Sequence, residues 1–324
     1  MFTINIYAEN HGWLFEDLKQ HFRNLRFVND IELAVSDRPL VQADAWVALR
    51  TKEAIAAPDI SRTVVCVHDL LCIDDMYQRS GSRRGVYEAG GLVLCHPEQR
   101  RILGEAGIPL EGLQILERPL GALTLFAPRQ RNTDLFTVGW VGRDHPRKKL
   151  AWFVEAIQQL DRGPEVVLIG SGLGEAASSL RASSVNCRLY DRAEHPISIY
   201  PLLYQGLDCL VITSSTEAGP ITLFEALATG LPVVSTPVGW APYFSDKAPL
   251  YVRLTGSPRE LASHLKDLRE EREVMFEQRF EIAELVSEWT LESWIRDVVN
   301  LAGSLAQSSS PGKLSSIQSV SNSN

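Results

Sequence analysis

The feature that most constrains the fold of this 324-residue chain is an alternation of short apolar runs with amphipathic helical segments, which occurs twice. The first series opens with a strand pattern at residues 3–8, followed by a glycine turn. A helix pattern comes next, with Leu14, Leu18, Phe22 and Leu25 on one face. The order strand, turn, helix predicts a Rossmann-like unit with a mainly parallel sheet covered on both sides.

The remaining apolar runs place further strands and helices along both series. In the first series we predict strands at 45–49, 64–68 and 92–95 and a helix at 97–106. The second series restarts at 136–142, and we predict strands there and at 165–169, 187–190, 208–213 and 232–235, with helices at 150–160, 259–287 and 291–305. A polar segment at 121–132 that contains a proline predicts the linker between two α/β domains.

These patterns predict an N-terminal Rossmann-like domain at 1–132 and a C-terminal one at 133–290. A separate helix is expected at 291–306. The last residues, 307–324, are rich in Ser with scattered Asn and Gln, and this composition predicts a disordered tail.

Composition and charge limit the partners and the cellular compartment that fit this sequence. The formal net charge of −8 argues against a nucleic-acid partner, because such proteins usually present a basic surface to the phosphates. The five cysteines are odd in number and include no C-x-x-C pair, which favours reduced thiols. The N-terminus does not resemble a signal peptide, and no run reaches the roughly 20 apolar residues of a membrane span. We expect a cytoplasmic protein, with peripheral contact to the inner membrane surface left open.

The most informative segment is 214–234, where a strand leads into a loop and a helix. Pro220 suits the first helical position, and Gly230 suits the position just past the helix end. Glu217 lies in the loop and Glu225 in the second helical turn. A helix N-terminus attracts anions, so carboxylates beside it suit a ligand that carries hydroxyls as well as phosphate. Taken singly, each glutamate fits a solvated surface charge better than a ligand contact.

Together with its neighbours, this segment resembles the family 4 glycosyltransferases. These enzymes have the GT-B fold, in which two Rossmann-like domains face each other across a cleft and a C-terminal helix crosses back to the first domain. They carry two glutamates separated by seven residues, as Glu217 and Glu225 are. The resemblance implies that Glu217 contacts the donor sugar, Glu225 the ribose, and the loop and helix residues Gly219, Ile221 and Thr222 the sugar and phosphates. Pro220 departs from the family pattern because it has no amide hydrogen to donate.

A second match is the segment 139–150, a strand that runs into a basic loop. The resemblance implies that Arg143 and Lys148 contact the donor phosphates, and the five-residue offset selects Lys148 over Lys149. Two fixed cations beside a departing diphosphate would stabilise the charge that develops there. A solvated basic loop that caps a helix is the alternative interpretation.

The resemblance also implies roles at the ends of other strands. His68, after an apolar strand, is expected to face the donor sugar in the cleft, where ligands of parallel sheets bind. Gly12, Gly142 and Gly170 are expected to let the backbone approach the donor. No Asp-x-Asp motif and no metal-ligand spacing of histidines occurs, so we expect neither a metal nor a cofactor besides the donor.

The expected activity is therefore a retaining transfer of a sugar from a nucleoside diphosphate sugar to an acceptor hydroxyl. The acceptor could be a carbohydrate, a lipid-linked molecule or a small molecule, as in polysaccharide, lipopolysaccharide or glycoconjugate synthesis. A nucleotide-sugar 2-epimerase and a non-catalytic nucleotide-sugar-binding protein are the alternatives. A dinucleotide dehydrogenase is disfavoured, because no G-x-G-x-x-G follows the first strand.

Overall fold

The computed structural model describes residues 2–9, 13–25, 27–68, 80–96, 98–130, 135–161 and 163–308. Contacts divide the chain into two compact units. The first unit comprises Met1–Arg118 and Ile295–Asn324, and the second unit comprises Pro119–Trp294. The division thus falls earlier than the predicted linker, and the chain returns to the first unit at Ile295.

The described part of the first unit contains a seven-stranded sheet. Its strands are β1 (Phe2–Tyr7), β2 (Phe27–Val28), β3 (Ile31–Ser36), β4 (Ala45–Ala48), β5 (Thr63–Val67), β6 (Gly91–Leu94) and β7 (Gln114–Glu117). The spatial order is β2-β3-β1-β4-β5-β6-β7, and β2 pairs antiparallel while the others pair parallel. The predicted strands at 3–8, 45–49, 64–68 and 92–95 are confirmed.

The described α-helices before Arg118 are α1 (Trp13–Leu25), α2 (Ser80–Tyr87) and α3 (Gln99–Glu105), and 3₁₀ helices lie at Thr51–Ala56 and Ile60–Arg62. Strands β4, β5 and β6 are buried along their whole length, as expected for a parallel sheet with covered faces. The tail predicted to be disordered lies outside the described residues from 309 onwards.

The second unit is built on a six-stranded sheet in the part of the chain that the structure describes. Its strands are β8 (Thr137–Arg143), β9 (Glu165–Ser171), β10 (Cys187–Asp191), β11 (Cys209–Ile212), β12 (Val233–Ser235) and β13 (Val252–Leu254). The order is β10-β9-β8-β11-β12-β13, and every pair is parallel. Helices α4 to α9 are Leu150–Gln158, Gly174–Ala182, Tyr200–Gln205, Ile221–Ala228, Ala241–Lys247 and Pro258–Glu270.

Both faces of this second sheet are covered by helices. On one face, Val166 and Leu168 of β9 belong to the same buried cluster as Phe153 of α4. On the other face, Val167 and Ile169 belong to a cluster that includes α7 side chains. Alternate residues of one strand therefore serve two cores, which explains why the strand is an unbroken apolar run.

The predicted helix at 259–287 is wrong as a single element. It is divided into α9, α10 (Arg272–Glu277) and α11 (Arg279–Glu284). Each of the two short helices opens with an arginine that binds a buried group: Arg272 donates to Asp208 at 3.2 Å, and Arg279 donates to the carbonyl of Arg129 at 2.8 Å. These tertiary bonds coincide with the two breaks in the helix.

The buried Arg129 explains why residues 119–130 belong to the second unit, whereas the sequence pattern assigned 1–132 to the first domain. Its guanidinium is fully buried and donates to Asp208 Oδ1 at 2.8 Å and to the carbonyl of Leu207. Asp208 in turn accepts from the amide of Thr137 at the start of β8. A buried ion pair of this kind anchors the segment, because removing one partner leaves an uncompensated charge.

The last helix, α12 (Leu291–Ser308), begins in the second unit and continues in the first from Ile295. Within the first unit, Asp297 of this helix pairs with Arg118. No helix in the described ranges has the length and apolar character that a membrane crossing requires. Four of the five cysteines, Cys66, Cys95, Cys187 and Cys209, are buried thiols, and Cys72 lies outside the described residues.

Candidate active site

The order of strands in the second unit defines where a ligand would bind. From the central strand β8, the chain proceeds to β9 on one side and later to β11 on the other. The connections after β8 and β11 therefore leave the sheet edge in opposite directions. In parallel α/β sheets this switch point opens a crevice at the carboxyl ends of the strands, and ligands bind in it.

Two glycines near the carboxyl ends of β8 and β9 are required by close backbone approach. Gly142 and Gly170 are register partners in the parallel pair. Gly170 has φ of +145°, and a Cβ there would come within 1.6 Å of the Gly142 carbonyl oxygen. A side chain at residue 170 is thus excluded by both backbone conformation and space.

The loop after β8 carries the predicted cations. Arg143 is the last residue of β8 and is exposed. The loop then forms a 3₁₀ helix at Pro146–Lys148, and Lys149 adopts the left-handed conformation with φ of +45°. The Lys149 ammonium lies 3.9 Å from the centre of the Trp152 ring, so this lysine stacks on its own helix, α4.

Lys148 pairs with Glu217, which is 69 residues away in the sequence. Their Nζ and Oε1 atoms are 2.7 Å apart, and the side chains are 23% and 15% exposed. A Cβ at Gly142 would stand 3.8 Å from Cε of Lys148, so the lysine stem runs beside that glycine. The backbone supports the pair, because Thr213 Oγ1 donates to the carbonyl of Lys148 at 2.7 Å. The structure therefore brings together Gly142, Lys148 and Glu217.

Helix α7 begins one residue later than predicted. Pro220 is the N-cap, with φ of −62° and ψ of 110°, and the first helical residue is Ile221. A proline has no side-chain group that can cap, so residue 220 accepts only through its carbonyl, from the amide of Leu223 at 3.0 Å. The amides of Ile221 and Thr222 lie in this first turn and point toward the loop that carries Glu217.

The end of α7 agrees with the sequence prediction. Gly230 has φ of +73° and follows the C-cap Thr229. Its amide donates to Leu227 at 2.8 Å, and the amide of Leu231 donates to Ala226 at 2.9 Å. These two bonds form a Schellman motif, which satisfies the last carbonyls of the helix.

The loop that carries Glu217 packs against the loop after β12. Gly239 has φ of +55°, and a Cβ there would lie 2.6 Å from Cδ of Pro220 and 3.2 Å from the carbonyl oxygen of Ala218. Thr236 adds a hydrogen bond to the carbonyl of Ser214 at 2.5 Å. Gly219 therefore lies in a segment held from the β12 side. The sequence analysis missed Gly239, although a glycine shortly after a strand was a usable signal.

Glu225 is held differently from Glu217. Only 4% of the residue is exposed, and its Oε2 accepts a hydrogen bond of 2.7 Å from the hydroxyl of Tyr204 on α6. Burial raises the pKa of Glu225 to about 7, and the Tyr204 bond acts in the opposite direction. Sequence reasoning missed Tyr204, whose position in a buried helix could not be assigned from a pattern of six residues.

In the first unit, His68 follows β5, as predicted. Its ring meets Phe15 edge-on with centroids 5.7 Å apart, and Cys95 Sγ lies 3.6 Å from Nδ1. Burial lowers the pKa of His68 to about 4 and raises the pKa of Cys95 to about 12. Both groups are therefore uncharged at neutral pH, and the donor of their contact is either the thiol or the Nδ1–H of the ring, according to the tautomer. Gly12 lies outside the described residues.

An all-parallel sheet with a lysine–glutamate pair and a helix N-terminus at its carboxyl edge is typical of α/β proteins that bind phosphate-containing ligands. Residues 136–271 match the family model described as glycosyl transferases group 1. Over these residues the chain is similar to the glycosyl transferases group 1, and the protein is a glycosyltransferase. No curated protein sequence matches the chain significantly.

Solved structures agree on the fold over nearly the whole chain. Sucrose-phosphate synthase from Thermosynechococcus elongatus aligns with a TM-score of 0.75 at 14% identity, covering 95% of this chain and 100% of that one. HepE from Anabaena in complex with UDP-glucose aligns with a TM-score of 0.69 at 16% identity, covering 95% and 99%. The lipopolysaccharide outer core galactosyltransferase WaaB aligns with a TM-score of 0.63 at 14% identity, covering 93% and 99%. The expected GT-B fold is confirmed.

Proposed function

We propose that the protein transfers a hexosyl group from a nucleoside diphosphate sugar to an acceptor hydroxyl, with retention of the anomeric configuration. The observation that carries this proposal is the pairing of Lys148 with Glu217 directly before the N-terminus of α7. A cation and free helix amides suit a diphosphate, and an adjacent carboxylate suits sugar hydroxyls. The structure of HepE, a protein of similar fold, was solved with UDP-glucose.

The charges explain how a donor would enter the site. Without ligand, Glu217 neutralises Lys148, so neither charge is left alone in a partly buried place. A bound diphosphate supplies the anion that Lys148 needs and frees Glu217 to accept hydrogen bonds from the donor sugar. Arg143, exposed at the end of β8, adds a second cation for the phosphates. Gly142, Gly170, Gly219, Ile221 and Thr222 would contact the donor through backbone atoms.

In the transfer step, the bond between C1 of the sugar and the β-phosphate oxygen breaks, and its electron pair stays on the departing diphosphate. The acceptor hydroxyl oxygen forms the new bond to C1 on the same face, and its proton passes to the phosphate oxygen that leaves. Lys148, Arg143 and the α7 amides stabilise the negative charge that grows on this phosphate. We propose that these cations take the place of a metal ion.

We propose that His68 contacts a sugar hydroxyl. Because this ring is neutral, a hydrogen bond between it and that hydroxyl would add no charge. We propose that the acceptor is a carbohydrate, a lipid-linked molecule or a small molecule in the synthesis of a polysaccharide, lipopolysaccharide or other glycoconjugate. We further propose a cytoplasmic protein, with the inner membrane surface as the place where a lipid-linked acceptor would be met.

The test begins with thermal melting in the presence of UDP-, GDP-, ADP- and dTDP-sugars, because a bound donor raises the melting temperature by mass action. The stabilising donor is then incubated with carbohydrate acceptors, and the anomeric coupling of the product is measured by NMR. We expect transfer with retention, and we expect Glu217→Gln to lose most of it while Glu270→Gln, an exposed glutamate on α9, does not. An inverted product, or a donor that is isomerised without transfer, would overturn the proposal.

A further inference from the structure

The family resemblance implies that Glu225 contacts the donor ribose, and it assigns no role to Tyr204, the hydrogen-bond partner of Glu225. Tyr204 lies on α6 and is fully buried, and its hydroxyl reaches across to Glu225 on α7 at 2.7 Å. Two helices thus meet through one charge-assisted hydrogen bond inside an otherwise apolar cluster.

The chemistry of the two groups makes Tyr204 the donor in this bond. Burial raises the pKa of Tyr204 well above its ordinary value, and the charge of Glu225 raises it further, so the phenol keeps its proton. For Glu225, burial favours the protonated carboxyl and the bond from Tyr204 favours the ionised one. An ionised carboxylate can accept hydrogen bonds at both oxygens, whereas a protonated one must donate at one of them.

The other ionisable groups around this pair are few and already engaged. Tyr200, one turn earlier on α6, is also buried, and its pKa is raised by burial and lowered by a hydrogen bond with Arg192. Asp191 and Glu225 both act on Tyr200 through their charges. From α11, Arg279 donates to the carbonyl of Arg129 and Glu281 accepts from Tyr251. Tyr204 is therefore the neighbour that bonds the carboxylate directly.

We propose that Tyr204 is a positioning residue that fixes Glu225 as the ionised acceptor for the 2′- and 3′-hydroxyls of the donor ribose. This inference rests on the proposed function and on the ribose contact that the family resemblance implies for Glu225. The inference predicts that Tyr204, although it does not contact the ligand, sets both the preference for ribonucleotides and the pH range in which they bind. A phenylalanine at position 204 would keep the ring but lose the bond.

The experiment measures nucleotide binding by calorimetry between pH 5.5 and 8.5, with UDP, GDP and ADP as probes, each beside its 2′-deoxy form. For the natural chain we expect the preference for the ribonucleotide to fall as the pH drops through about 7, where Glu225 takes up its proton. Tyr204→Phe should weaken ribonucleotide binding roughly tenfold, the size expected for one bond to a charged group. It should affect the 2′-deoxy form much less and move the midpoint of the pH curve upward.

Tyr251→Phe is the matched control, because it removes the same atom from a Tyr–Glu pair of 2.9 Å that is exposed in the same unit. This variant should bind every probe as the natural chain does. If Tyr204→Phe weakens both forms of a nucleotide equally and leaves the midpoint in place, Tyr204 only supports packing and the inference is overturned. Unchanged binding in Tyr204→Phe would overturn it as well.

A failure of the proposed function gives different results from a failure of the Tyr204 inference. In that case no probe binds, or Glu225→Gln keeps the full preference for the ribonucleotide. Melting curves without ligand show whether Tyr204→Phe is folded. If the variant is not folded, the natural chain alone tests the inference through the pH dependence of its ribonucleotide preference. A preference that stays constant between pH 5.5 and 8.5 contradicts a titrating acceptor at Glu225 and overturns the inference.

Discussion

The carboxyl edges of the two sheets share a parallel backbone arrangement and differ in the chemistry that they present. In the first unit, β5 is followed by His68, a neutral ring in contact with Phe15 and the Cys95 thiol. In the second unit, the strands lead to Lys148 and Glu217, a charged pair that solvent still reaches. A neutral hydrogen-bonding edge suits hydroxyl groups, whereas a charged edge with helix amides suits a diphosphate. The difference teaches that the backbone supplies the location and the side chains supply the ligand class.

The charged edge predicts the largest effect on activity. Lys148→Ala should lower kcat/KM for sugar transfer by roughly 10²–10³-fold, about 2.7–4 kcal/mol, because one fixed donor to the developing phosphate charge is lost. Lys149→Ala is the matched control, since that ammonium stacks on Trp152. Steady-state rates with a saturating acceptor measure both. Equal losses of kcat/KM in the two variants would show that Lys148 has no specific role in the site.

A second prediction concerns the backbone of the same edge. Gly170→Ala should lower the free energy of unfolding by about 3 kcal/mol, because φ of +145° and the Gly142 carbonyl both exclude a Cβ. Gly174→Ala, at the start of α5 with open space around its Cα, should leave stability unchanged or raise it slightly. Urea unfolding measures the free energy of unfolding of both variants. Similar stabilities for the two variants would contradict the close approach of β8 and β9.

The neutral edge predicts a pH-dependent stability. The pKa of His68 is about 4 in the folded chain and 6.5 when exposed, so between these values the unfolded chain binds the extra proton. Above pH 6.5 the ionisation of His68 therefore does not lower the free energy of unfolding. As the pH falls from 6.5 toward 4, the free energy of unfolding decreases, by no more than about 3 kcal/mol. His68→Asn should remove this slope. The free energy of unfolding of both chains, measured from pH 4 to 8, checks this prediction. If the variant and the natural chain differ by the same amount at every pH, the His68 ring is exposed and the prediction is wrong.

The smallest expected effect separates binding from folding at the charged edge. Glu217→Gln should change the free energy of unfolding by less than about 1 kcal/mol, because a partly exposed ion pair contributes little to stability. Thermal unfolding of this variant, measured beside its transfer rate, shows whether the residue serves the ligand. A loss of several kcal/mol would instead make the Lys148–Glu217 pair a structural element.

The sequence predicted the buried central strands and the edge strand β10, but it missed β2, β3, β7 and β13, for a physical reason. Strands such as β5 and β9 are buried on both faces and appear as unbroken apolar runs. The edge strand β7 has two exposed residues out of four, and the edge strand β13 has only three residues. A short, half-exposed strand carries too little apolar pattern to be distinguished from a loop. The divided helix at 258–284 escaped prediction because its breaks coincide with bonds to Asp208 and Arg129, which are remote in sequence.

The sequence by itself determined the two α/β units, the seven-residue gap between Glu217 and Glu225, and the helix that ends at Gly230. These features depend on apolar periodicity and on the backbone preferences of proline and glycine, which are local properties. Only the tertiary structure decided that Lys148 pairs with Glu217, that Gly239 packs on Pro220, and that Tyr204 bonds Glu225. The ionisation of Glu225 depends on how far packing removes it from water, and packing is set by residues far apart in the chain.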